Sequence, residues 1–172
     1  MSILDTVLNL EPVSRVRRNH GLEHATLHVL SARYPRKPLA GHSDAGGFWI
    51  LGDVSTDDVR SAVDQALERM QSGEESLAVH PNCGTNFVTS GVLAGLAAWV
   101  ALAGSGKSWR SRLERLPTAM ALATLALVFG QPLGFLVQAR VTTSGRPEGL
   151  RVTSIHATRR SGVPAHRVLT EG

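Results

Sequence analysis

Two histidines and a glutamate near the start of the chain have the types and spacing of a metal site. His20 and His24 are four residues apart, so on an α-helix both imidazoles project from one face and can bind one metal ion. Glu23 completes the order H-x-x-E-H, the reverse of the common H-E-x-x-H zinc motif, and a glutamate in such a motif acts as a general base on zinc-bound water. The run predicts a zinc site with His20 and His24 as ligands and Glu23 as the base.

A second polar run, HPNCGTN at residues 80–86, directly precedes a long apolar stretch. Catalytic zinc takes three protein ligands and a water molecule, and either His80 or Cys83 can supply the third ligand. Asn82 or Asn86 can donate a hydrogen bond to a developing oxyanion, and Asn82 is the residue to which we assign this role. The complete site requires the two runs to meet in the folded chain.

The five residues from His20 to His24 resemble the motif of the inverted zincins, a group of metallopeptidases. This resemblance implies a zinc peptidase in which Glu23 activates water. Most of the chain is also similar to an uncharacterised family of small bacterial membrane proteins. The runs HGLEHAT, GGFWILGDV and HPNCGTN occur here in the order that the family shares, before a two-span hairpin. This second resemblance supports the architecture and implies no particular activity.

The residues of the two runs also have ordinary structural interpretations. His20 and His24 can be helix-surface residues, and Glu23 can form an ion pair with Arg18. Cys83 can fill a small buried space in place of binding a metal ion. These alternatives favour a non-catalytic structural or regulatory membrane component with a His/Cys metal site or none. A further alternative is a subunit of a larger complex that the hairpin holds in place.

Four further histidines lie outside the H-x-x-E-H run and the second run. His28 extends the stripe of His20 by two helical turns, and we interpret it as a polar neighbour rather than a ligand. His42, His156 and His166 stand apart from both runs and are predicted to be solvated.

The distribution of charge predicts two membrane spans. Residues 76–106 and 116–139 contain no Lys, Arg, Asp or Glu. Within them, residues 87–104 and 116–137 are long enough to cross the hydrocarbon core as helices. A short basic loop joins them, which predicts a transmembrane hairpin with both termini on one side. We expect the bacterial inner membrane, with both termini in the cytoplasm.

The amino-acid composition indicates which classes of molecule the protein binds. The net charge of +4 and the pI near 10.2 come from dispersed basic residues without interleaved aromatic residues, so anionic lipid is a better partner than nucleic acid. Cys83 is the only cysteine, which excludes a disulfide scaffold. One face of the first span carries small residues that would admit the second span, a further copy of the chain or another membrane protein. These residues are Gly91, Ala94, Gly95 and Ala98.

The remaining sequence predicts a small α/β (α+β) polar domain interrupted by the transmembrane hairpin. The expected domains are 1–86 with the metal site, the hairpin at 87–138, and a β-rich tail at 139–172 that packs on the first part. Expected helices cover residues 2–10, 14–33 and 55–73, with a kink or helix end at Pro132. Expected strands cover residues 39–41, 47–53, 77–80, 139–143, 150–156 and 166–169. The function predicted from these features is a membrane-anchored, zinc-dependent hydrolase or peptidase at the membrane interface.

Overall fold

The computed structural model describes residues 3–104 and 108–172. These residues form two compact units. The α+β unit contains the chain up to His80 together with Ala139–Gly172, and the hairpin unit is Pro81–Gln138. Residues 1–2 and 105–107, which include the start of the first expected helix and part of the expected basic loop, lie outside the described residues.

Three α-helices and a four-stranded sheet make up the α+β unit. The helices are α1 (Ile3–Leu8), α2 (Val13–Arg33) and α3 (Thr56–Gln71), and a 3₁₀ turn follows at Glu75–Ala78. The strands are β1 (Ala40–Asp44), β2 (Gly47–Leu51), β3 (Arg151–Arg160) and β4 (Val163–Glu171). All pairs are antiparallel in the order β1-β2-β4-β3, so the C-terminal strand β4 pairs with β2 from the N-terminal half.

The hydrophobic core lies between one face of this sheet and the helices α2 and α3. Phe48 of β2 and Val168 of β4 are register partners and are fully buried. Leu22 of α2 and Val63 of α3 belong to the same buried cluster. The amphipathic stripe of α3 produces this packing, because its apolar side chains recur at helical spacing. Ser55 caps the helix, accepting a hydrogen bond from the amide of Asp58.

The structure corrects three expectations about these elements. The expected strand at 77–80 is a 3₁₀ turn that ends at Ala78, because its carbonyl groups bond to side chains of α2 instead of a neighbouring strand. The expected strand at 139–143 is a π-helical turn, Gln138–Thr142, because the carbonyl groups of Val141 and Thr142 bond to the side chains of Arg17 and His20 in α2 instead of a neighbouring strand. The helix expected over 14–33 begins one residue earlier, at Val13 after Pro12, so Ser14 lies inside it and its hydroxyl donates to Glu11.

The hairpin unit consists of α4 (Gly84–Ala103) and α5 (Trp109–Val137). Both helices are long and apolar enough to cross a membrane. The mixed α/β fold with two long apolar helices is therefore confirmed. Each helix begins before the expected span. Helix α5 continues through Pro132, so it does not end there, and the alternative of a kink at this residue stays a prediction.

The contact between α4 and α5 uses small residues of α5. A β-carbon at Gly134 would lie 3.0 Å from Cα of Asn86, and one at Gly130 would lie 3.2 Å from Cα of Ser90. At Gly91 and Gly95, by contrast, an added β-carbon would meet nothing within 4 Å among the described residues. The expectation that these two glycines of the first span admit the second span is therefore wrong. Contact with a further copy of the chain stays a prediction.

Candidate metal centre

Helix α2 presents three histidines on one side. His20, His24 and His28 follow one another at intervals of four residues, which places their side chains on one helix face. The ring centroids of His20 and His24 are 4.4 Å apart, and ring nitrogens of the two residues lie within 4.8 Å of each other. His24 is 2% exposed, whereas His20 and His28 are half-buried.

Main-chain carbonyl groups orient the rings of His20 and His24. Nδ1 of His24 lies 2.7 Å from the carbonyl oxygen of Ala78, and Nδ1 of His20 lies 3.0 Å from that of Thr142. A carbonyl oxygen only accepts hydrogen bonds, so Nδ1 is the protonated nitrogen in each ring and donates. In the neutral ring the lone pair is then on Nε2. Histidines that bind metal ions almost always have this arrangement, with the second ring nitrogen bonded to a carbonyl, a carboxylate or water.

His28 and His80 extend the group. Nε2 of His28 donates to the carbonyl oxygen of Val79 at 2.8 Å, which leaves its lone pair on Nδ1. The His80 ring centroid is 4.8 Å from that of His28 and 5.6 Å from that of His24. Burial, followed by the nearby charge of His28, lowers the pKa of His80. The lowered pKa favours the neutral imidazole, which is the form that binds a metal ion.

The spacing of these rings fits shared metal ligation. With a zinc–nitrogen distance of about 2.0 Å and tetrahedral angles, two imidazoles on one ion have centroids about 5 Å apart. The separations between His20 and His24, between His24 and His80, and between His28 and His80 are 4.4, 5.6 and 4.8 Å. Imidazole nitrogens in rings with fixed tautomers also suit zinc, copper, iron and nickel.

Arg17 holds the chain segment that orients His20. Its guanidinium donates to the carbonyl oxygen of Val141 at 2.8 Å and to that of Thr143 at 3.1 Å. The amide of Ser144 in turn donates to the carbonyl of Arg17 at 2.9 Å. These bonds fix the main chain on both sides of Thr142, whose carbonyl oxygen bonds to His20.

Glu23 lies on the side of α2 that faces the sheet. Its side chain is 3% exposed and packs against Gly41 of β1, where a β-carbon would lie 2.6 Å from the carboxyl carbon. Asn19, one turn earlier, donates to the carbonyl of Asp44 and accepts from the hydroxyl of Thr170. The expected role of Glu23 as a general base stays a prediction.

The other expected site residues belong to the hairpin unit. Cys83 is the buried N-cap residue of α4, and Asn82 is exposed in the preceding turn. The amide of Asn86 donates to the carbonyl of Pro81 at 2.8 Å and accepts from Gln138, so it holds the hairpin unit together. Zinc ligation by Cys83 and oxyanion binding by Asn82 stay predictions.

Sequence reasoning missed two features of this centre. The first is the proximity of His28 to His80, whose ring centroids are 4.8 Å apart; the interpretation of His28 as a polar neighbour rather than a ligand stays a prediction. The contribution of Thr142 has no sequence pattern at all, because any residue has a main-chain carbonyl. His166, expected to be solvated, is 4% exposed, because its position on β4 faces the core beside Ile50.

The fold and the centre define a class: a small α+β unit with a histidine cluster, carried on a chain with two helices that could span a membrane. Residues 15–155 match the family described as Domain of unknown function (DUF6391), and the chain belongs to that family. It is also 36% identical over 180 residues to an uncharacterized protein of Picosynechococcus sp., a match that covers 96% of this chain and 83% of the other. No solved structure matches the chain.

Proposed function

We propose that the protein is a membrane-anchored metal-binding protein whose histidine cluster holds a zinc ion. The observation that carries the proposal is the pair of carbonyl bonds to Nδ1 of His20 and His24. In both rings Nε2 is then the nitrogen that binds a metal ion, and the two histidines are one helical turn apart. The third ligand is His80 or Cys83, as the sequence predicts.

We propose that α4 and α5 anchor the protein in a membrane. Only 17% of the most apolar stretch of α4 and 11% of that of α5 are buried. A pair of core helices in a water-soluble protein would be mostly buried, so these exposed apolar surfaces favour a lipid environment. We assign the chain to the bacterial inner membrane with both termini cytoplasmic. A green fluorescent protein fused after Gly172 should then fluoresce, and an alkaline phosphatase fused there should be inactive; the reverse result would contradict this orientation.

Zinc-dependent hydrolysis at the membrane interface is the activity we propose for this centre. Zinc with an open coordination position supplies a Lewis acid and lowers the pKa of water. Glu23 follows His20 by three residues and precedes His24 in the H-x-x-E-H order. This order assigns Glu23 the role of general base. The centre is near the membrane along the chain, because α4 begins four residues after His80.

A second candidate is a non-catalytic metal site with a structural or regulatory role. The observation that favours it is the burial of Glu23 against Gly41, because a general base must reach the water that it activates. In this alternative Glu23 supports α2 and the neighbouring histidine, so its loss weakens zinc binding.

The first experiment measures zinc in the full chain, purified in detergent and dialysed against metal-free buffer. We expect about one zinc per chain, as in sites with three protein ligands. His24→Ala should lose it, and the control His156→Ala, at an exposed histidine of β3, should keep it. Equal zinc content in wild type and His24→Ala would contradict the site.

The second experiment separates the two candidates. The zinc-loaded protein is incubated with a quenched-fluorescent peptide library, beside a Glu23→Gln variant. Cleavage that disappears in Glu23→Gln while zinc is retained supports the hydrolase. Full cleavage by Glu23→Gln would contradict the role of Glu23. Zinc binding without cleavage, and weaker in Glu23→Gln, supports the non-catalytic site.

A further inference from the structure

The four histidines form an extended row and not a single ring of ligands. Successive ring centroids from His20 to His24, His80 and His28 are 4.4, 5.6 and 4.8 Å apart. An α-helix rises about 1.5 Å per residue, so the Cα atoms of His20 and His28 are separated by about 12 Å along α2. One zinc ion, with zinc–nitrogen bonds of about 2.0 Å, cannot accommodate both ends of this row together with the residues between them.

We propose that the row binds a second divalent metal ion, held by His28 and His80. This inference rests on the proposed zinc site at His20 and His24. His80 lies closer to His28 than to His24, at 4.8 Å against 5.6 Å between centroids. The assignment makes His80 a ligand of the second ion.

The tautomers support two separate positions. His20 and His24 are each fixed through Nδ1 and have the lone pair on Nε2. His28 is fixed through Nε2 by the carbonyl of Val79, so it has the lone pair on Nδ1. The nitrogen that can bind a metal ion therefore changes along this helix face, from Nε2 in His20 and His24 to Nδ1 in His28.

The second ion differs from the first in affinity. His28 and His80 are both half-buried, so water has access and completes the coordination. Imidazole ligands suit zinc, copper and nickel among divalent ions. With His80 assigned to the second ion, Cys83 remains as the proposed third ligand of the first. The second position, with two protein ligands and water, therefore binds more weakly than the first and empties first on dialysis.

The experiment is a zinc titration of the full chain in detergent by equilibrium dialysis at graded free zinc, with bound metal measured by mass spectrometry. Wild type should reach two ions per chain in two separate steps. His28→Gln should lose the weaker step and keep the tighter one, and His80→Gln should do the same from the other side of the pair. The control His156→Gln should bind as wild type, and circular dichroism should show that the variants are folded.

The outcomes separate the two proposals. A single step in wild type, or two unchanged steps in both His28→Gln and His80→Gln, overturns the second ion and leaves the first in place. His20→Gln should lose the tighter step alone. If wild type binds no zinc at any concentration, or if His20→Gln and His24→Gln change neither step, the proposed zinc site itself is wrong.

Discussion

The side chain of Glu23 occupies the space that a side chain at residue 41 would need. A β-carbon built on Gly41 would lie 2.6 Å from the carboxyl carbon of Glu23 and 2.7 Å from its Cγ. Real β-carbons almost never approach other atoms this closely, so either the carboxyl group or β1 would have to move. The glycine in the short edge strand is what allows a buried glutamate between α2 and β1.

The substitution Gly41→Ala should lower the free energy of unfolding by about 1–3 kcal/mol, the usual range for overpacking a filled site. The cost should be smaller in a Glu23→Ala background, because the carbon that clashes has been removed. A double-mutant cycle of denaturant unfolding in detergent measures this coupling. Equal costs in the two backgrounds would show that Gly41 has another role.

The substitution Arg17→Lys should weaken zinc binding about tenfold, toward the lower end of the effect of removing groups that orient metal ligands. Lysine keeps the charge but has no planar fork, so it cannot donate to Val141 and Thr143 together. The segment with the carbonyl of Thr142 then loses its support, and His20 its orientation. Competition with a chromogenic chelator measures the affinity.

The matched control for Arg17 is Arg15→Lys on the same helix. Arg15 forms a partly exposed ion pair with Glu11, one turn earlier in the chain, so its replacement should leave zinc affinity unchanged. If the two variants weaken binding equally, the effect comes from general disturbance of α2 and not from the carbonyl of Thr142.

Local sequence patterns predicted the elements that depend on residues close together in the chain. The apolar stripe of α3 and its N-cap, Ser55, involve residues within the helix and directly before it, so the sequence alone is enough to predict them. The segments 77–80 and 139–143 were misassigned because their main-chain partners are far away in the chain. The carbonyls of Ala78 and Thr142 bond to His24 and His20, 54 and 122 residues away in sequence.

The candidate site was predictable in residue type and not in arrangement. The four-residue spacing of His20 and His24 is a property of the helix itself and could be read directly. The tautomers depend on which carbonyl meets each ring, and every residue has a carbonyl. The sequence also could not show which histidine lies nearer to His80, since the ring-centroid distances from His80 to His24 and to His28 differ by less than an ångström.

Acidification should destabilise the protein through His166. The ring is 4% exposed, with Nε2 3.1 Å from the hydroxyl of Thr56. Burial lowers the pKa of His166 below its ordinary value of 6.5. Above pH 6.5 the ring is neutral in both folded and unfolded chains, and the full stability is present. As the pH falls below that value, the unfolded chain binds the proton first, so the free energy of unfolding decreases until the folded pKa is passed.

The measurement for His166 is the unfolding free energy of zinc-free protein between pH 7.5 and 5, compared with His166→Gln. Glutamine does not titrate and retains a polar group beside Thr56, so the decrease on acidification should be smaller in the variant. The exposed histidine variant His156→Gln should follow wild type. Identical slopes for wild type and His166→Gln would assign the pH dependence to other groups.

The packing of the hairpin unit should depend on Gly134 and not on Gly91. Gly134→Ala places a β-carbon 3.0 Å from Cα of Asn86, and Asn86 is held between Pro81 and Gln138 and cannot retreat without breaking those bonds. We expect a loss of about 1–3 kcal/mol. Gly91→Ala meets nothing within 4 Å among the described residues, so the better helix propensity of alanine should leave stability unchanged or raise it by up to about 1 kcal/mol. Unfolding of the two variants by sodium dodecyl sulfate in mixed micelles compares them directly. A larger loss in Gly91→Ala would mean that the glycine face of α4 makes the principal helix contact in the membrane.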